Sequence, residues 1–380
     1  MLRGLFLWPF LGIAAAAGLK VAQISNPGRI GHMCAEMDAF LKERELGLIP
    51  YVKPVLLLQR KKAGNLALLD LFKSYVTVWD KRWQKLLFGW MLKFSSTHYP
   101  LGRPVVGFGE AARYYQINHL WGDRPPVIRL PDEIQAKGRD RLAELGVPED
   151  AWFVCVHARE GGYSPKDENI HAHRNSDIAT YHLAIKAITD RGGWIVRVGD
   201  ATMTPMPPMD QAVDYALSDR KSDWMDLWLC ANNRFLLGTS SGLIMAATMF
   251  HKPCVLVNMV PHGSSYGPGP NDLAISKLLI DADGQPMRFP DIFAQRLSDQ
   301  RYAESFDQRG VRFQNNSAED ILGVMEEMLA RLDGTFETTA EDEDLQRRYR
   351  ALLTPHDYSF GATSMIGRDW LRAHRHLLVD

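Results

Sequence analysis

The chain's densest polar chemistry lies in HAREGGYSPKDENIHAHRN, residues 157–175, directly after an apolar run, Trp152 to Val156, that reads as a strand. At the carboxyl end of a parallel strand, polar side chains open into the crevice where α/β sheets bind ligands. His157 and Arg159 flank Ala158, so both leave the strand end on one side. A guanidinium there forks two N–H donors onto a phosphate, and Arg174 adds a second cation. A solvated surface loop has the same composition, so the neighbouring motifs decide between the two.

Two of them end further predicted strands. RVGD places Arg197 and Asp200 on the same crevice, where an aspartate accepts hydrogen bonds from a ribose or base edge, or closes a turn. GTSSG carries strand Phe235 to Gly238 through Thr239, Ser240, Ser241 and Gly242 into an apolar helix, Leu243 to Phe250. Small hydroxyl residues and a glycine at a helix start let phosphate oxygens approach free backbone N–H groups and the positive end of the helix dipole. A plain N-cap accounts for one serine, not for the cluster.

Other motifs say less. SNPGRIGHM, residues 25–33, joins the first strand to the first helix and sets Gly31 and His32, with Glu36 and Asp38 beyond, at the mouth of an N-terminal sheet. It lacks the lysine spacing of a phosphate loop. GFGEAA, residues 107–112, fits a dinucleotide fingerprint, but its preceding strand is only Val105 and Val106, so it reads as a turn. Asp281 and Asp283, in DAD, match a metal-nucleotide triplet in outline, yet Gly284 makes them a solvated turn.

These motifs need a scaffold of strands with intervening helices, and the apolar pattern supplies two such series. Strands at Val21 to Ile24, Val55 to Gln59 and Val76 to Trp79 alternate with helices at Met33 to Arg44 and Asn65 to Tyr75. After a proline-rich stretch and a helix from Asp132 to Leu145, a second series runs from Trp152 through Cys254 to Asn258. The Gly- and Pro-rich loop PHGSSYGPGPND follows, then helix Ala318 to Leu332 and a segment EDEDLQRRYR that reads as a solvated helix. The expected units are an apolar segment (1–20), two Rossmann-like domains (21–148 and 149–335), and C-terminal helices (336–380) packing back on the first domain.

Composition narrows the function. Lys and Arg number 44 against 45 Asp and Glu, a balance that excludes the basic excess of a nucleic-acid binder. The 380 residues, 46% hydrophobic, suit about two folded domains. Four scattered cysteines show neither disulfide nor zinc spacing and fit a reducing compartment. Residues 4–19 carry no charge, but a sixteen-residue helix spans roughly 24 Å, short of the roughly 30 Å hydrocarbon core. Interfacial anchoring or a buried extension, a cleaved signal and a tilted span are the alternatives.

The order of VCVHAREGGY, HRNSDIATYHLAIKAITDRGGWIVRVGD, SDWMDLWLCANNRFLLGTSSG and KPCVLVN resembles a family of bacterial glycosyltransferases with a GT-B-like fold, distantly similar to fucosyltransferases. The resemblance covers residues 151–280, with GRIGHMCAEMDAFL as support. It implies an α/β fold with two Rossmann-like domains facing a cleft, a nucleotide-sugar donor held by the C-terminal one, a glycan or lipid-linked acceptor, and transfer with no metal and no cofactor. Fucosyltransferase-like enzymes carry H-x-R-R at the equivalent strand end. Here the run is His157, Ala158, Arg159, Glu160, so GDP-fucose specificity does not carry over.

On this reading His157, Arg159 and Glu160 are catalytic candidates. Arg174, Arg197, Asp200 and residues 239–242 hold the donor, while Gly31, His32 and Glu36 face the acceptor. The base that accepts the acceptor's proton is open among Glu160, Glu36, Asp38 and His32. The setting is cytoplasmic, at the inner face of a membrane, in surface-polysaccharide or glycoconjugate assembly, with peripheral contact through residues 4–19. A nucleotide-sugar 2-epimerase or hydrolase, or a non-catalytic sugar-nucleotide-binding protein, uses the same scaffold.

Overall fold

A computed structural model of the chain describes residues 13–14, 16–50, 54–103, 112–163, 168 and 170–379. The first unit comprises β1 (Val21–Gln23), α1 (Ile30–Glu45), β2 (Val55–Leu57), α2 (Leu66–Phe72), β3 (Thr77–Trp79), α3 (Arg82–Phe88), β4 (His98–Pro100) and α4 (Arg113–Trp121). Its sheet has the order β3-β2-β1-β4, every pair parallel. Strand alternation divides the side chains between two faces. Ala22, Ile24, Leu56 and Leu58 meet Met33, Phe40, Leu68 and Phe72 on one face, while Val21 and Leu57 meet Met91, Phe88 and Trp90 on the other. Asn65 starts α2 by accepting the Leu68 N–H at 2.8 Å, an N-cap.

The second unit begins with α5 (Asp132–Glu144), β5 (Phe153–His157), α6 (His182–Thr189), β6 (Trp194–Arg197), β7 (Ala212–Val213), α7 (Asp223–Asn232), β8 (Leu236–Gly238), α8 (Gly242–Met249) and β9 (Cys254–Met259). It continues with β10 (Leu273–Ser276), β11 (Leu278–Ile280), α9 (Phe289–Ala294), α10 (Ala303–Asp307), β12 (Arg312–Gln314), α11 (Ala318–Leu332), α12 (Ala340–Ala351), β13 (Met365–Ile366) and α13 (Arg368–Ala373). Seven strands form one parallel sheet, β13-β10-β9-β8-β5-β6-β7, and β11 and β12 form an antiparallel pair. The chain therefore adopts the expected α/β architecture of two Rossmann-like sheets. In each, the strand order reverses once, between β1 and β4 and between β5 and β8. Such switch points open the crevices in which ligands bind.

Packing differs from the sequence reading in three places. Helix α5 joins the second unit, because Gly138 lets it close on the indole of Trp228, where an added Cβ would lie 2.2 Å from the ring. Residues 336–380 do not pack back as a body on the first unit. β13 pairs with β10, and Tyr349, Trp370 and Leu371 enter the second core, leaving a hydrogen bond from Gln116 to the Phe360 carbonyl as a contact with α4. EDEDLQRRYR is solvated on one side only, since Leu345 and Tyr349 are buried and Tyr349 Oη meets His262 Nδ1 at 2.9 Å. The sequence reading also passed over β10, which follows the glycine-rich loop. Residues 1–12 of the apolar segment, and 107–111 of GFGEAA, lie outside the described residues. No helix of the described residues is long and apolar enough to cross a membrane.

The units meet where α1 and α8 begin. A Cβ at Gly31 would stand 2.9 Å from the Gly242 Cα, a backbone approach that no larger residue permits. Gly31→Ala is therefore expected to cost about 1–3 kcal/mol of stability by overpacking, read as a lower urea midpoint. Gly323→Ala, in open space within α11, is the control and should hold or raise the midpoint, by about 0.4–1 kcal/mol.

Candidate functional site

The two switch points face one another across the Gly31–Gly242 contact. On the second unit, β5 ends at His157 and delivers Arg159, whose backbone N–H donates to Thr239 Oγ1 at 3.0 Å, tying the two strand exits together. The Arg159 guanidinium donates to the His171 carbonyl at 3.1 Å and to Asn175 Oδ1. Asn175 is fixed in turn, its amide donating to Glu168 at 2.7 Å and its carbonyl accepting from Lys277 Nζ at 2.7 Å. Arg174 donates to the Ser240 carbonyl at 2.7 Å, while its Nε and the hydroxyl of Ser241 are buried with no hydrogen-bond partner. The loop between β5 and α6 and the turn between β8 and α8 are thus one constellation. Arg159, Arg174 and residues 239–242 belong to it.

Its electrostatics are one-sided. Burial, then the charges of Arg159 and Arg29, bring Arg174 down to about 10. Burial and Arg159 bring Lys277 down to about 8, and burial, then the charges of Arg174, His171, Lys277 and Arg159, pushes His173 down to about 4, so it stays neutral. Among the described residues the charges acting on these three groups are those of neighbouring cations, with Tyr358 opposing them at Arg174. Cations gathered beside the N-termini of α8 and α1 form a region whose energy falls when an anion enters. Arg29 and Lys277 were not picked out from sequence. A lysine inside the apolar run LAISKLLI was the available signal for one of them.

Facing this on the first unit is a carboxylate–imidazole pair. Glu36 Oε1 meets His32 Nδ1 at 3.0 Å one helical turn away, and Glu36 Oε2 accepts the Ser25 N–H at 2.9 Å. Ser25 Oγ lies 3.1 Å from His32 Nδ1 and donates to Glu36. Glu36 is buried, while the His32 side chain is 47% exposed. With Nδ1–H held by the carboxylate, Nε2 is left as the acceptor. Ser25, at the exit of β1, is a further member that the sequence reading did not name.

Other candidates are committed elsewhere. Glu160 binds Arg197 Nη2 at 2.7 Å and the Thr204 N–H at 2.8 Å, and Arg197, fully buried, also binds Asp214 at 3.1 Å. This is a charge group joining β6 to its neighbouring loops, outside the cationic constellation. His157 is buried, donates from Nδ1 to the Val198 carbonyl at 2.9 Å, and is kept neutral by burial. Asp200 accepts from the Thr202 N–H at 2.9 Å, closing a turn. Asp38 is fully buried against Lys42 at 2.7 Å on the α4 side, with burial raising its pKa, so it does not face the cleft. Asp281 and Asp283 form a turn, Asp281 Oδ1 accepting the N–H groups of Asp283 and Gln285.

No family model matches the chain, and no curated protein matches it. Among solved structures it is similar to the glycosyl transferase family 9 from Veillonella parvula DSM 2008, at 10% identity over 63% of this chain and 79% of that one, with a TM-score of 0.37. It is also similar to the dodecameric iron-containing heptosyltransferase TibC in complex with ADP-D-beta-D-heptose (11% identity, 63% and 57%, TM-score 0.36). A third is the bacterial iron-containing dodecameric glycosyltransferase TibC from enterotoxigenic E. coli H10407 (12%, 66% and 60%, TM-score 0.35). This chain spans less than two thirds of the length of the two TibC chains. A similarity of this extent leaves the chemistry to the chain's own residues.

Glu160→Gln should separate a structural from a catalytic role. Leaving Arg197 short of a charged partner is expected to lower stability by about 1–3 kcal/mol, seen in denaturant melts, with binding of a nucleoside diphosphate unchanged. Lost turnover at full stability would return Glu160 to catalysis.

Proposed function

We propose that the chain is a glycosyltransferase that moves a sugar from a nucleotide-sugar donor to a glycan or lipid-linked acceptor, without a metal or cofactor. The observation that carries the reading is the gathering of Arg159, Arg174 and Lys277 at two converging helix N-termini, opposite a carboxylate-held histidine. As the anomeric C–O bond breaks, negative charge grows on the diphosphate. Arg159, Arg174 and Lys277, with the backbone N–H groups at the start of α8, stabilise it where it develops. The acceptor hydroxyl gives its proton to His32 Nε2, its oxygen bonds to the anomeric carbon, and the electron pair of the cleaved bond leaves with the diphosphate. Glu36 orients the imidazole and stabilises its protonated form.

The resemblance expects a second arginine where Glu160 stands, and Glu160 is occupied by Arg197. Arg174, further along the same loop, and Lys277, between β10 and β11, provide the missing positive charge. Within this reading the protein works in polysaccharide or glycoconjugate assembly at the cytoplasmic face of a membrane. The four buried free cysteines are compatible with a reducing compartment.

Titration with nucleoside diphosphates by calorimetry tests the donor site. Arg159→Ala should weaken binding about tenfold or more, the loss of charge-assisted hydrogen bonds. Lys277 is charged below its pKa of about 8 and neutral above it. A bound anion raises that pKa, so binding takes up a proton, and affinity should be constant below about pH 8 and fall as pH rises through it. Arg159→Ala binding as wild type would remove the diphosphate site.

His32→Ala should lower kcat about 10²–10⁴-fold with donor affinity retained, as expected for a lost general base. Donor breakdown is expected only when acceptor is present, and EDTA should leave it unchanged. Turnover of the donor without acceptor would favour the hydrolase or epimerase.

A further inference from the structure

Among the described residues, the outer face of the first sheet is closed by α3, the turn after it, and the residues leading into β1. Phe88 of α3 packs on Trp79 with ring centroids 4.4 Å apart, and Trp90, Met91, Ala14 and Leu19 complete that small cluster. Among the described residues, the opposite side of α3 has no partner. Trp83, Leu86 and Leu87 are 54, 83 and 55% exposed. Their i, i+3, i+4 spacing places them on one stripe of the helix.

Cations lie along the flank of the same helix. Lys61 and Lys62 follow β2, Lys81 and Arg82 open α3, and Lys85 lies within it. None of the five forms an ion pair with a carboxylate among the described residues. The nearby acids are taken, Asp70 by Arg60 and Lys73 at 2.6 Å each, and Asp80 by the same two at 3.6 and 3.3 Å. Burial, with the charges of Lys62 and Lys61, lowers the pKa of Lys85. An indole and two leucines surrounded by unpaired lysines match a surface with acyl chains beneath anionic headgroups.

We propose that the exposed face of α3, with Lys61, Lys62 and Lys85, docks the protein on an anionic phospholipid bilayer. The indole of Trp83 sits at headgroup level, the leucines reach the acyl boundary, and the lysines meet the headgroups. Helix α3 starts just past the carboxyl end of β3, the same sheet edge from which Ser25 leaves β1, two strand spacings or about 10 Å away. A lipid-borne substrate held at this surface would reach the sheet edge that also carries Ser25, the partner of His32. That last step rests on the proposed transferase reading, whereas docking does not.

Co-sedimentation of the full chain with phosphatidylcholine vesicles, with and without phosphatidylglycerol, tests docking independently of activity. Binding should require phosphatidylglycerol and weaken in high salt. Lys62→Glu should cut affinity about fivefold or more, and Leu86→Glu about tenfold or more, with unchanged circular dichroism. Equal binding to neutral vesicles would overturn the proposal. So would binding that survives both substitutions, which would assign anchoring to residues 1–12. Absence of vesicle binding, with self-association that Leu86→Glu abolishes, would overturn it in favour of a second copy of the chain.

Discussion

The whole arrangement turns on two helices beginning at the same place. α1 and α8 bring their positive ends together through Gly31 and Gly242, and Arg29, Arg159, Arg174 and Lys277 crowd in around them. Like charges and aligned dipoles so placed repel one another, and burial makes the repulsion stronger. What holds them is rigid: Thr239 and Ser240 fasten the arginine-bearing loop to the strand exit, and Asn175 locks Arg159 on one side and Lys277 on the other. On the proposed reading, a bound diphosphate would relieve this crowding of cations, and a charge distribution held ready in that way is what makes charge stabilisation effective during a reaction.

A second set of buried charges keeps α1 in position. Lys42 links Asp38 to Asn118 at 2.7 Å each, and Arg113 binds Glu43 at 2.9 and 2.6 Å, joining α1 to α4. Each charge has an opposite partner, although Asp38 Oδ1 is buried without a hydrogen bond. One helix therefore carries acids of two kinds along its length. Glu36 serves the cleft, Asp38 and Glu43 serve the packing, and residue spacing alone decides which is which.

Much of this was legible in the sequence because it depends on local pattern. Short β-like runs separated by amphipathic stretches gave both sheets, and GTSSG marked a strand-to-helix turn whose glycine does meet the other unit. Arg159 was legible for the same reason, as it follows the end of β5 directly, whereas Arg174 lies far along the same loop. Glu160 and Arg197 were misleading because each looks like a ligand-binding charge until its partner, distant in sequence, is known. Lys277 and Arg29 acquire meaning only through contacts across the fold. β13 was hidden by its two-residue length, too short to show a period, and the course of 336–380 followed from it.

Because β13 stays with its own sheet and α5 closes on Trp228, the main chain passes between the two units along one stretch, near residues 122–131. A pair of parallel connections would confine relative motion to a single bending axis. One covalent tether imposes no such axis, so the relative setting of the units is fixed by what packs between them: the glycine seam, the apolar cluster in which Leu227, Ala246, Met249 and Phe250 join Met33, Phe40 and Leu69, and the hydrogen bonds from Asn65 and Leu66 to Asp223. Seam and shared core together govern the alignment of imidazole and guanidinium.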